Sequence, residues 1–351
     1  MRQSKKEAKG HKASNDKSQA AKPRKRVIRP RMGIHGETEP IVAVMDHAPV
    51  HPMFLKAPLF TSIKLGAEDV GTHVESYYTT PQYRVDCRFE GPQALCIRDQ
   101  SVLLALCQLG ARADQRTWLE RDHPDWPQVS ALLCASGQRA SAAVVALTIS
   151  AAQIAKIIGL NDSGTNSRSI ETSLRRLSSV MMHRTVMGRE EKLIGDFTGQ
   201  TKVFGYTPMA GNKGLVVLCA ELSQRCMDCT GVTWVNMAET RALRSPPAKR
   251  LHAFLSAWAS TSEMKCIGLD KLPAHIYGHA DCEAGARKSR RVAVRAAIAE
   301  VSALPGWWCE VLERTQQLKV RKPIFAGTRT VAAEGPSNTA IALPLAAIGQ
   351  P

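Results

Sequence analysis

The chain has 351 residues, 44% of them hydrophobic and 5% aromatic, which is enough for two compact domains with tails. Its longest strongly apolar run, Ala140 to Ile149, falls far short of the roughly 20 residues that span a bilayer, and no apolar stretch follows the basic N-terminus, so membrane insertion and secretion are excluded and a cytoplasmic protein is predicted. The net charge of +16 is uneven: residues 1–31 carry twelve Lys/Arg against Glu7 and Asp16, and only +6 is left for the rest.

In chain order, that Lys/Ser/Ala-rich segment is predicted to be a largely disordered basic arm. It would attract phosphates without regard to sequence and lose that attraction as salt rises, although the same composition also suits a solubilising tail. Residues 1–56 are assigned to this arm and a Pro-rich connector, irregular except for a short ordered piece near its end. Thr72 to Phe89 alternates like one or two strands (Val74, Tyr77, Tyr78, Tyr83, Val85). A helix starts at Asp99, with Val102, Leu103, Leu106, Cys107 and Leu109 as its stripe and Gly110 as its stop. Trp118, Pro124, Trp126 and Pro127 give residues 111–140 the look of an insertion of turns and a short helix.

Val144 to Ile149 reads as a strand leading into Ser150, a good N-cap. The next helix presents Ala151, Ile154, Ala155 and Ile158 on one face and stops at Gly159. After a polar turn, a second helix begins near Ser167, with Ile170, Leu174, Leu177 and Met181 inward. Arg184 to Phe197 and Lys202 to Thr207 read as a hairpin. Strand, helix, turn, polar-faced helix and hairpin is the order of a winged helix-turn-helix.

That order recurs. Ser245-Pro246-Pro247 opens a helix to about Ala259, with Leu251, Phe254, Leu255 and Trp258 inward. Lys265 to Leu269 is strand-like, and Leu269, Leu272 and Ile276 line a short helix. A helix over 286–304 follows, stopped by Pro305-Gly306, and Trp307 to Leu312 with Leu318 to Arg321 completes a hairpin. The predicted fold is therefore α+β: an N-terminal winged-helix domain over 57–236, a C-terminal one over 237–324, and a flexible tail over 325–351.

The helix over 286–304 concentrates cations in its first half (Arg287, Lys288, Arg290, Arg291, Arg295, with Ser289), while Val294, Ile298, Val301 and Leu304 form a later apolar seam. A recognition helix needs this division, because its N-terminal residues enter the major groove, where arginine binds guanine bidentately. On the first candidate recognition helix, Arg168, Thr172, Arg175 and Arg176 are the DNA-contact candidates; the same residues also suit a solvated surface or a dimer interface.

Enzymatic signatures are absent. Gly211-Asn212-Lys213-Gly214 is too short for a phosphate-binding loop, and a nicking site would need a His-x-His metal pair that the sequence lacks. Ten cysteines are scattered, expected to be buried thiols; Cys226-Met227-Asp228-Cys229 has no partner pair, and His275, His279 and Cys282 lack a fourth ligand. No enzyme activity, metal or cofactor is expected.

At Arg250-Leu251-His252 with Leu255 and Trp258, Arg287-Lys288-Ser289-Arg290-Arg291-Val292 with Arg295, and Ala303-Leu304-Pro305-Gly306-Trp307, the chain resembles the IncQ-type RepC initiators of broad-host-range plasmids. Ala57-Pro58-Leu59-Phe60-Thr61 and the strands and helix after it look more like the related TrfA proteins. The resemblance implies two winged-helix domains that bind direct repeats (iterons) in double-stranded origin DNA. It also implies melting of adjacent AT-rich DNA, recruitment of a replicative helicase, and exchange between monomers and dimers. The long arm, the 111–140 insertion and the C-terminal tail depart from the family pattern. A winged-helix repressor on a palindromic operator is the first rival, and a nicking or priming enzyme the second.

Overall fold

The computed structural model describes residues 46–63, 71–79, 83–136, 142–188, 199–229, 231–278 and 283–324. The basic arm, residues 189–198 of the first predicted hairpin, His279, Cys282 and the tail after 324 lie outside the described residues. The protein is a mixed α/β structure.

The end of the Pro-rich connector is built into the first core. It supplies strand β1 (His47–Val50) and helix α1 (Pro52–Lys56). Pro52 stands in the first turn, where a missing N–H costs nothing, and His51 Nδ1 accepts the Met53 N–H at 3.3 Å. Phe54, fully buried, packs its ring 5.5 Å from that of Phe89. After the two-residue strand β2 (Phe60–Thr61), the alternating segment forms β3 (Thr72–Thr79) and β4 (Tyr83–Gly91). Val85, Cys87 and Phe89 of β4 are buried; between them Arg84 pairs with Asp86 at 2.8 Å and Arg88 with Glu90 at 3.0 Å on the outer face.

The short β5 (Leu95–Cys96) runs into α2 (Ile97–Gly110). Apart from Arg98 this helix is buried on every side, its polar Asp99, Gln100, Ser101 and Gln108 included. Asp99 closes its first turn by accepting the Cys96 N–H at 2.7 Å. The 111–140 insertion contains the expected short helix, α3 (Trp126–Leu133), and also a strand, β6 (Arg116–Leu119).

Next come β7 (Val144–Ser150), α4 (Ala151–Ile158), α5 (Gly164–Ser178), β8 (Met181–Gly188), β9 (Gly199–Lys202), β10 (Phe204–Met209) and β11 (Lys213–Leu218). Ser150 Oγ accepts the Gln153 N–H at 3.2 Å, and Gly159 ends α4 at φ 78°, which only glycine adopts without strain. Helices α2, α4 and α5 pack against one another.

The hairpin read as Arg184–Phe197 with Lys202–Thr207 needs correction. Strand β8 pairs with β4 on one side and β9 on the other (Met181 opposite Lys202, His183 opposite Gln200), and β10 pairs with β11 in a different sheet. Val203 and Phe204, adjacent in sequence, are both fully buried. Two consecutive inward residues break the period of two, so the strand leaves one sheet for the other at that point. The two four-stranded sheets run β3-β4-β8-β9 and β10-β11-β7-β6.

Helix α6 (Ala220–Asp228), β12 (Thr233–Asn236), which pairs with β1, and α7 (Met237–Ala242) lead into the second half. This consists of α8 (Pro246–Trp258), β13 (Lys265–Gly268), α9 (Leu272–Tyr277), α10 (Ala284–Ser302), β14 (Trp308–Leu312) and β15 (Gln317–Arg321), with sheet order β13-β15-β14. Its apolar cluster, built on Leu251, Phe254, Leu272, Ile298, Val301 and Leu318, is separate from the larger cluster around α2.

Polar contacts join the halves, among them the Ser62 N–H to Ile276 O at 2.7 Å, and the Arg250-Leu251-His252 motif supplies several of them. Arg250 is fully buried, and its guanidinium donates to Leu55 O at 2.9 Å and Ala57 O at 2.6 Å. Burial pushes its pKa down to about 9, so it remains protonated at neutral pH. Glu239 of α7 accepts from the buried His252 Nε2 at 2.7 Å and from Trp307 Nε1 at 2.9 Å on the same oxygen. Burial alone would raise the Glu239 carboxyl; the hydrogen bonds from His252 and Trp307 outweigh it and hold the group below the ordinary carboxylate range. Arg250→Ala strips the donor from two carbonyls and leaves a cavity, so a loss of about 3 kcal/mol is expected. An unchanged thermal unfolding midpoint would show that Arg250 does not hold the halves together.

Candidate nucleic-acid interface

Helix α10 is anchored at one end. Val294, Ala297, Ile298 and Val301 are buried in the second core, and Leu304 and Trp307 close it behind them. Every residue from Glu283 to Ser289 is exposed. Gly278, at φ 80°, ends α9, and five residues later Glu283 caps α10. The buried seam of α10 thus lies in its C-terminal half, and its cationic first half is largely exposed.

Among the predicted contacts on this helix, Arg287, Lys288, Ser289, Arg291 and Arg295 are exposed. A shallow depression is lined by Ala284, Arg287, Lys288, Arg291, Val292 and Arg295. Arg290 is half-buried, with its guanidinium 4.8 Å from the centre of the Tyr277 ring, a cation–π contact that braces α10 against α9. Ser289 Oγ bonds back to Gly285 O at 3.2 Å. Arg295 makes a two-pronged pair with Glu313, at 2.5 and 2.9 Å, and these hydrogen bonds hold the Glu313 carboxyl below its usual range. Arg295 therefore ties α10 to the β14–β15 turn. That turn also brings up Arg314, exposed beside Glu313. The sequence reading missed Arg314, although a cation in a tight turn between two strands was a visible signal.

On α5, Arg168, Thr172 and Arg175 lie exposed along one face. Thr172 Oγ1 donates to Arg168 O at 2.9 Å, and Arg175 pairs with Glu171 at 2.6 Å. A surface pair of this kind holds little energy, so Arg175 is available to an incoming phosphate. Arg176 is a correction. Its side chain is 7% exposed and pairs at 2.9 Å with Asp99, which is 0% exposed; its Nε also donates to Gln93 Oε1 at 3.2 Å. Charges buried this way must be paired, so Arg176 is a core residue of the first half and not a DNA contact.

Of the metal candidates, His279 and Cys282 lie outside the described residues. Cys226 is buried, with its thiol 3.5 Å from Cys107 O, and His275 stacks on Phe254 at 4.0 Å. Among the described residues no group of three or more His, Cys, Asp or Glu is arranged to hold a metal ion, and no helix is long and apolar enough to cross a membrane.

The family model for replication protein C (RepC) matches residues 42–321. The sequence has no significant match among curated proteins. Two crystal structures of domains 2 and 3 of RctB are similar to the chain at 11% identity. One covers 75% of this chain and 95% of that one with a TM-score of 0.43, and the other covers 76% and 95% with a TM-score of 0.44. The match over 42–321 spans both halves, from β1 through the β14–β15 hairpin, and the chain belongs to the replication protein C family.

Proposed function

We propose that this chain is a plasmid replication initiator that binds direct repeats in origin DNA through two winged-helix domains, residues 57–236 and 237–324. The second domain reads bases with α10, and the first adds a groove contact through Arg168, Thr172 and Arg175 or supplies a dimer interface. The observation that carries this reading is α10 itself: its C-terminal half is held in a core, its exposed first half bears Arg287, Lys288 and Arg291, and it follows a short helix and precedes a hairpin in a β13-β15-β14 sheet. That order and that division of labour are those of a recognition helix with its wing. Two such modules in tandem raise each other's effective concentration, so the pair is selective where each alone binds weakly. The basic arm adds salt-sensitive affinity that any DNA would satisfy. In this reading the protein performs no bond chemistry; it opens the neighbouring DNA, recruits a replicative helicase and exchanges between monomer and dimer.

A mobility-shift series across rising salt tests it, using direct-repeat DNA from the chain's own replicon. One bound species per repeat, surviving excess random competitor, is the expected result. Complete loss to competitor would leave only the arm and defeat the proposal. Preference for a palindromic operator over the repeats would favour a repressor, and strand cleavage or nucleotide incorporation an enzyme.

A further inference from the structure

Val292 is out of place on α10 for any purpose internal to the protein. It is 64% exposed, one of four large hydrophobic residues left exposed among the described residues. With 3.6 residues per turn, it lies on the side of the helix opposite the seam of Val294, Ala297, Ile298 and Val301. A β-branched residue is a poorer helix former than alanine, and α10 uses alanine at its neighbouring positions 293 and 296. An exposed valine therefore weakens the helix and leaves more apolar surface in water than alanine would.

The surroundings indicate what covers it. Lys288 and Arg295 stand one turn to either side, Arg291 is adjacent, and the same depression takes in Ala284 and Arg287. A protein partner for an apolar spot would not meet a ring of cations with an apolar surface; a DNA groove meets the cations with phosphates and base acceptors while also offering one apolar group. In the major groove that group is the C5-methyl of thymine.

We infer that Val292 is a specificity-determining residue whose methyl groups pack on the C5-methyl of one thymine in the bound site. The inference rests on the reading of α10 as a groove-entering helix. Arginine and lysine on the same face select guanine or bind phosphate, so Val292 is the element that fixes an A·T pair and its orientation at one position of the site. No hydrogen bond is involved, and discrimination comes from apolar burial alone.

The test uses the full-length chain and a duplex selected by it from a randomised pool, with each thymine in turn replaced by uracil, which lacks only that methyl. For the natural protein, uracil at one position is expected to weaken binding about fourfold, the worth of one buried methyl. Val292→Ala should bind thymine and uracil there equally, and Val292→Thr, nearly isosteric, checks any variant whose circular dichroism departs from the natural protein. Selective binding with no uracil-sensitive position, or with a sensitivity that survives Val292→Ala, would overturn the inference and leave the initiator reading intact. Failure to enrich any sequence from the pool would overturn both.

Discussion

Replacing Lys288 and Arg291 together by alanine is expected to cut affinity for the selected site about a hundredfold, Arg291 losing a base contact worth about 1–3 kcal/mol and Lys288 a phosphate contact. Stability should hardly change, because both side chains are exposed on a helix whose core contacts lie further along, at Val294, Ala297, Ile298 and Val301, and such surface changes usually fall within about 0.5 kcal/mol. The single changes separate two roles. Arg291→Ala should relax preference at one base pair, whereas Lys288→Ala should weaken all sequences alike and lower the salt slope by about one. The residual binding of the double variant, carried by the basic arm, should vanish between low and moderate salt. If the double variant kept full selectivity while folded, α10 would not be the reading helix, and α5 with Arg168, Thr172 and Arg175 would take its place.

Much of this arrangement was legible in the residues, for local reasons. Ser150 and Gly159 bracket α4 because a hydroxyl satisfies its first N–H groups and glycine turns left-handed at its end. Ser245-Pro246-Pro247 opens α8, where Ser245 Oγ accepts the Ala248 N–H at 3.3 Å. Cations early and apolar residues late on α10 are a one-dimensional pattern, and the structure preserves it. What was not legible depends on partners distant in sequence. Five prolines between Arg29 and Pro58 made that stretch look irregular, yet its end is fixed by β12, nearly two hundred residues on. Strand β6 lacks a signal of its own and exists because β7 pairs with it. In the stretch after Thr207, Gly211-Asn212, both at positive φ, mark the turn between β10 and β11, a signal missing from the sequence reading. His252 and Arg250 look like surface polar residues until Glu239 and the carbonyls of Leu55 and Ala57 are placed beside them.

Arg176 is the case with the largest energetic consequence. Adjacent arginines on a helix point about 100° apart, so of Arg175 and Arg176 only one follows the exposed face of Arg168 and Thr172. The other turns toward α2, where Asp99 is fully buried. Removing one member of a buried pair costs about 3–5 kcal/mol, because the other charge stays behind without compensation. Asp99 would keep the Cys96 N–H at 2.7 Å, so Arg176→Ala is expected at the lower end, about 3 kcal/mol, read as a fall in denaturant midpoint with an unchanged slope. Below its unfolding transition the variant should bind DNA with full selectivity, since the exposed face of α5 is untouched. Asp99→Asn combined with Arg176→Met should recover part of the loss, because no unpaired charge then remains in the core. A stable Arg176→Ala protein with weakened DNA binding would reverse the assignment and return Arg176 to the interface.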